Sequence, residues 1–200
     1  LDVNTDEEVV SFVDKHQTCA IPPEGEDDLR KLVLSVQKHV HSSTCRRHGS
    51  CRFRFPHPPS IKTLVARQTD ADPATAERDL NAKQDVLKKV RMVMEDKEIS
   101  EDISIKQLLS KAEVDLQSYQ RALKVMKSGK QIVLQRTPAE RCINQYNPSI
   151  LRAWRANMDL QFIVDPYSCI MYVTSYMLKS ERAMSELLKK VADECRGDDI

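Results

Sequence analysis

Tyr172 and Tyr176 stand four residues apart in the run Met-Tyr-Val-Thr-Ser-Tyr-Met-Leu-Lys, which ends on Lys179. On a helix this spacing stacks both phenols and the ammonium on one face. Two phenol hydroxyls beside a cation suit nucleophilic attack on a phosphodiester. A phenol ordinarily titrates near 10, and an adjacent positive charge favours the reactive phenolate. The same spacing also suits two rings packed together in a core.

A second constellation gathers Cys19, His39, His41, Cys45, His48 and Cys51. Zinc takes four N or S donors in a tetrahedron, and four protein ligands make a closed, structural site. Cys19, His41, Cys45 and Cys51 supply such a set, with His39 or His48 as substitutes, although no CxxC pair is present. A catalytic His39-Val40-His41 pair would need a strand, where i and i+2 share a side. Here the pair ends a helical pattern, which predicts nearly opposite directions.

The run Cys51-Arg-Phe-Arg-Phe-Pro alternates cation and ring. In an extended segment Arg52 and Arg54 reach phosphates while Phe53 and Phe55 pack inward. A second basic cluster holds Arg136, Arg141, Arg152 and Arg155, with Arg152 and Arg155 as further DNA contacts. Trp154 between them is expected in the core rather than as a stacking platform for a base. Asp159 and Gln161 share the polar face of an expected strand.

These residues must be held by a chain of 200 residues with a formal net charge of +1, so nucleic-acid affinity has to be local. With 30% charged residues and only four glycines, the composition predicts a helix-rich α+β chain with a few short strands and a long C-terminal helix. Apolar residues recur at helical spacing in Leu29, Leu32, Val33 and Val36, predicting a helix from 27 to about 40. Further helices are expected at 6–16, 76–94, 104–109 and 114–126, a short one near Leu151, and the last from about 165 to 195. Short strands are expected at 63–66, 131–135 and 158–164. Three regions follow: residues 1–68 with the Cys/His loop, a helical insertion at 69–130, and a strand–helix unit at 131–200 carrying the tyrosines.

No stretch approaches 18 apolar residues and no signal peptide opens the chain. Six cysteines do not make a disulfide framework, so a reducing compartment, cytoplasm or nucleus, is expected. The first residue, Leu1, is not methionine, which reads as a piece of a longer protein. Gly129-Lys130 lacks the earlier glycine and the following Ser or Thr of a phosphate-binding loop, so no ATP site is recognisable.

Four blocks in order carry a resemblance. They are Cys45…Cys51-Arg-Phe-Arg-Phe-Pro, then Tyr146-Asn147-Pro148, then Asn157-Met-Asp-Leu-Gln, then Tyr172-Val-Thr-Ser-Tyr176-Met-Leu-Lys179. Together they resemble the Rep, or helicase-like, domain of Helitron transposases, members of the HUH endonucleases. The resemblance implies a partial Rep-type nuclease fold and a nuclear location. It implies cleavage of single-stranded DNA through a 5′-phosphotyrosine link, with Tyr172 and Tyr176 as nucleophiles and Lys179 matching a family lysine. It also implies a divalent cation, Mg²⁺ or Mn²⁺, held by a His-x-His strand upstream of this segment, and a helicase domain downstream. Met171 and Ser175 stand where the family has lysines, and Gln161 where it has an acid. The chain by itself is therefore expected to be inert. The alternative is a non-enzymatic helical interaction module, zinc-stapled at its N-terminal end, or an inactive transposon remnant.

Overall fold

The computed structural model describes residues 5–46, 50–68, 71–96, 98–100, 102–127 and 130–163, together with 169, 170, 173, 174 and 177. Two compact units are present, Leu1–Phe162 and Ile163–Ile200. In the second, the described residues Cys169, Ile170, Val173, Thr174 and Met177 are helical. Tyr172, Tyr176, Lys179 and most of the expected C-terminal helix lie outside the described residues.

The first unit is α+β, with helices α1 (Asp6–His16), α2 (Asp27–Leu32), α3 (Pro73–Glu95), α4 (Ile105–Lys111), α5 (Leu116–Lys124) and α6 (Pro148–Trp154). A small sheet of β1 (Leu64–Gln68), β2 (Val125–Met126) and β3 (Lys130–Val133) runs in the order β2-β1-β3. Strand β1 is parallel to β2 and antiparallel to β3, with Leu64 opposite Val133 and Ala66 opposite Gln131. The boundaries read from sequence at 68 and 130 fall inside this unit, because the sheet and its core join all three regions.

Capping chemistry sets the helix starts. Asp72 accepts from the amides of Ala74 and Thr75 ahead of a helix that opens with Pro73. Ser104 and Gln107 form a reciprocal capping box, and Asn147 accepts from the Ile150 amide with Pro148 at the first helical position. One core packs α3, α4 and α5 on the sheet through Leu64, Ala66, Val90, Met94, Leu108 and Leu123. Burying such side chains stabilises the fold by about 1.5–3 kcal/mol each. Tyr119 joins this core and its hydroxyl donates to the Pro59 carbonyl at 2.6 Å, which satisfies the one polar atom it buries.

Three expected elements differ. The helix predicted through 40 narrows to α2, continues as a π-helical turn over Val33–Gln37, and stops with Lys38 extended. It stops because Lys38 pairs antiparallel with Ile143 and the His39 amide donates to the Cys142 carbonyl at 2.7 Å. The helix predicted to 126 ends at Lys124, because Val125 and Met126 leave it to pair with Arg67 and Gln68. The alternation at 158–163 is real in burial, with Met158, Leu160 and Phe162 half-buried between exposed neighbours, yet no strand forms there. Side chains take its carbonyls instead of a ladder: Asn144 donates to Met158 O and Gln17 to Leu160 O.

Residues 136–146 tie the remaining segments together. Ser60 pairs with Arg136, Lys38 with Ile143, and Thr18 with Tyr146. Arg136 is 5% exposed, and its guanidinium donates to the carbonyls of Glu140 at 2.6 Å and Ile143 at 2.7 Å. Replacing Arg136 by Ala orphans two carbonyls at about 1–3 kcal/mol each and opens a void. We expect urea unfolding of Arg136→Ala to show a loss of about 3 kcal/mol or more. A loss below about 1 kcal/mol would show that the backbone pairs alone hold the segment.

Candidate metal centre and groove

The extended backbone after Gln37 changes what His39 and His41 can do. Their rings lie 4.9 Å apart between centroids, close rather than opposed as the helical reading required. Cys45 and Cys51 complete the group, and the four donor atoms all lie within 4.8 Å of one another. Cys45 Sγ is 3.6 Å from His41 Nδ1, and Cys51 Sγ is 3.4 Å from His39 Nε2. Donors on a tetrahedral zinc, at metal distances near 2.0–2.3 Å, stand about 3.3–3.8 Å apart. Two of the pairs already meet that spacing. His39, His41, Cys45 and Cys51 can therefore hold a metal ion such as zinc.

Cys19 does not belong to this group, which corrects the set read from sequence. It is wholly buried, its thiol donates to the Gln135 carbonyl at 3.2 Å, and burial pushes it up to about 11. His39 takes its place, while His48 lies outside the described residues. No spacing rule could have chosen His39 over Cys19, because the choice follows from the bridge at Lys38.

Local turns aim the ligands. The amides of Cys45 and Arg46 both donate to Ser42 O at 3.2 Å, and the Ser42 amide points at Cys45 Sγ at 3.2 Å. The Arg52 amide donates to Cys45 O, and the Arg54 amide to Cys51 O, each at 2.9 Å. His39 lies flat on Phe55 at 4.5 Å with an 11° interplanar angle, and Cys45, Cys51 and Phe55 form a small buried cluster. Arg91 of α3 donates to Phe55 O at 2.7 Å and anchors the loop from the other side.

The electrostatics favour ligating forms. Burial, then the charges of His41 and Arg46, lowers His39; burial, then Arg46, lowers His41. Burial opposes the Cys45 thiolate but is outweighed by hydrogen bonds with Ser42, by Cys51 and by Arg46, so its thiol is lowered. Metals take neutral imidazole and thiolate, so both shifts run in the binding direction.

Beside the centre opens a groove of about 630 Å³, whose lining includes Gln37, Lys38, His39, Arg52, Phe53 and Arg54. Lys38, Arg52 and Arg54 set three cations against one lining carboxylate, Asp159. Arg52 covers the Phe53 ring at 4.5 Å, and Phe53 is 49% exposed. Arg54 sits at φ 64°, the left-handed region that costs a non-glycine residue roughly 1 kcal/mol. The inward packing predicted for Phe55 holds, while Phe53 faces solvent.

Arg152 and Arg155 are placed differently. They pair with Glu26 at 2.6 Å and Asp28 at 3.5 Å, joining α6 to α2 rather than lining the groove. Trp154, expected in the core, is 65% exposed. Helix α6 is only seven residues long and Leu151 is its buried residue.

Sequence reading passed over Gln37. It is 1% exposed, and neither its side-chain nitrogen nor its oxygen has a hydrogen-bond partner. An unpartnered buried amide costs about 1–3 kcal/mol. A signal existed: Gln37 stands at i+4 from Val33, on the apolar stripe of the predicted helix.

Searches against protein-family models, curated proteins and solved structures find no match for this chain.

His57, on the groove wall, is lowered to about 3 by burial, then by the charges of Arg136, Arg91 and Arg54. Its ordinary value is 6.5, so between 6.5 and about 3 the unfolded chain binds the proton that the folded chain refuses. Stability is full above 6.5 and falls as pH drops toward 3. His57→Phe keeps a ring against Phe55, 4.3 Å away, and removes this titration. The urea midpoint of the variant should decline less steeply than the parent's over that interval; parallel declines would assign the acid sensitivity to other groups.

Proposed function

We propose that this chain is the zinc-stapled, tyrosine-bearing part of a Helitron-like rolling-circle transposase, working on single-stranded DNA. The observation that carries the reading is the convergence of His39, His41, Cys45 and Cys51 on one point. It turns the first of the four resembling blocks into a rigid loop that presents Arg52, Phe53 and Arg54 at a cationic groove. Four protein donors fill a tetrahedral zinc, so the ion is structural.

In the complete domain, Tyr172 or Tyr176 attacks the scissile phosphorus through its phenolate oxygen. A new tyrosyl O–P bond forms and the bond to the 3′ oxygen breaks. The DNA end stays attached as a 5′-phosphotyrosine, and the 3′ oxygen leaves as an alkoxide that takes a proton from water. A divalent cation, Mg²⁺ or Mn²⁺, supplies polarisation of the phosphate when bound. Two tyrosines serve two successive strand transfers.

The competing reading is a non-enzymatic interaction module. Trp154 and Ile150, 65% and 51% exposed on α6, favour it, since exposed aromatic anchors suit protein partners.

Metal analysis tests the staple. One zinc per chain is expected, replaceable by Co²⁺ with thiolate-to-cobalt absorption, and Cys51→Ser should lose both the metal and the fold of the loop. Cys19→Ser should keep the metal; retention by Cys51→Ser and loss by Cys19→Ser would reverse the ligand assignment.

DNA binding separates the two functions. Log affinity for single strands should fall with log salt, and each of Arg52→Ala and Arg54→Ala should flatten that slope by about 0.7. A salt-independent profile favours the interaction module. A chain extended upstream to include a His-x-His strand should form a covalent adduct with single-stranded DNA in Mn²⁺. Tyr172→Phe with Tyr176→Phe should abolish it, and an adduct surviving the double change would remove the tyrosines from the mechanism.

A further inference from the structure

The groove beside the metal centre contains more than a phosphate contact needs. Arg52 and Arg54 account for backbone charge, yet neither gives a reason for a solvent-shielded glutamine whose amide has no partner. Gln37 closes a π-helical turn, and its main-chain carbonyl is already held by the Asn144 amide at 2.8 Å. Gln37 belongs to the groove lining two residues before the ligand His39, with its side-chain amide buried behind the groove surface. Directly on the same groove, Phe53 offers a half-exposed ring with Arg52 over it.

We propose that this groove is a nucleobase subsite that reads adenine in single-stranded DNA, with Gln37 as the reading residue. The inference rests on the single-stranded-DNA reading above and adds a sequence preference to it. One unstacked base lies against Phe53, as bases do on exposed aromatic rings. Its flanking phosphates meet Arg52 and Arg54. A side-chain rotation swings the Gln37 amide from its unpartnered position into the groove. There the amide oxygen accepts from adenine N6 and the amide nitrogen donates to N7, the pairing that glutamine makes with this base. Rotation costs Gln37 no existing hydrogen bond, since it has none to break. A metal held by the four donors would fix the direction of the loop, and the bridge at Lys38 fixes the floor, so the reading residue and the stacking ring keep one spacing.

The test uses the zinc-loaded chain and short dC oligonucleotides in which every second base is dA or dT, titrated at several salt concentrations. The chain should bind the dA series about tenfold more tightly than the dT series, within the discrimination a bidentate contact gives. Gln37→Leu should bring that ratio to about one while leaving the salt slope unchanged. Its melting temperature should not fall, because the change removes an unpartnered amide. Gln37→Glu, which can only accept, should shift the preference from dA toward an all-dC strand, since a carboxylate accepts from cytosine N4. Phe53→Ala, on an exposed side chain, should weaken every oligonucleotide by about tenfold without altering the ratio. Equal binding of the two series by the parent chain, or a dA preference that survives Gln37→Leu, overturns the subsite and leaves single-strand binding standing. Absence of any salt-dependent single-strand binding overturns both.

Discussion

The guanidinium of Arg136 is the interaction on which the first unit depends. Removing a cation from water costs several kcal/mol, and that cost is recovered only if its donors meet well-placed acceptors. Here the acceptors are carbonyls of Glu140 and Ile143, so the chain from 136 to 146 must curl around the side chain. Once curled, it offers free backbone edges at three points, and Ser60, Lys38 and Thr18 each pair with one. Segments far apart in sequence are thereby fixed by a single buried charge. The groups of the candidate site inherit this order: His39 hangs from Cys142 O and His57 from Arg141 O.

That arrangement explains why a helical sequence stops being helical where chemistry needs it to. Lys38 still closes the π-helical turn by donating its amide to the Val33 carbonyl at 3.1 Å, and His39 could continue the helix by gaining one more such bond. His39 instead donates to the Cys142 carbonyl, and the Gln37 carbonyl accepts from the Asn144 amide, so the bridge at Lys38 comes with a pre-ordered partner. The π-helical turn over Val33–Gln37 absorbs the change of direction. In consequence, residue 37 faces the groove, residue 38 joins a bridge, and residue 39 reaches the metal donors. Metal, bridge and groove are thus three consecutive positions of one strand of chain. A change at the metal centre is transmitted to the groove floor without any intervening element.

What was legible in the sequence is what local chemistry determines. Helices begin at 105 and 148, close to where they were expected, with Ser104 and Asn147 as their caps, and the segments expected as strands at 63–66 and 131–135 pair as β1 and β3. The α+β class and the Cys/His loop as a metal candidate follow from composition and residue type. What was hidden depends on partners distant in sequence. Leu29, Leu32, Val33 and Val36 look the same whether the helix ends at 32 or 40, and only Ile143 decides. Asn157–Phe162 alternates like a strand, but Asn144 and Gln17 occupy its carbonyls. Cys19 resembles a ligand by type, but the Arg136 segment draws it to Gln135 O. Arg152 and Arg155 look like free cations until α2 brings Glu26 and Asp28 beside them.

The position of the metal donors also constrains where catalysis can occur. Two imidazoles and two thiols are a complete tetrahedral shell, with no coordination position open to a phosphate oxygen. Filled by zinc, a centre of this kind has no position from which to polarise a scissile bond. On the proposed reading, then, attack on DNA has to come from groups outside the loop, and the tyrosine run is the sequence feature with that chemistry. The loop contributes grip. His39 and His57 are both held toward neutrality, so the positive field of the groove rests on Lys38, Arg52 and Arg54. On the proposed reading, a strand held by the groove's cations and the Phe53 ring would stay in register while a nucleophile elsewhere acts on it, the division of labour that successive strand transfers require.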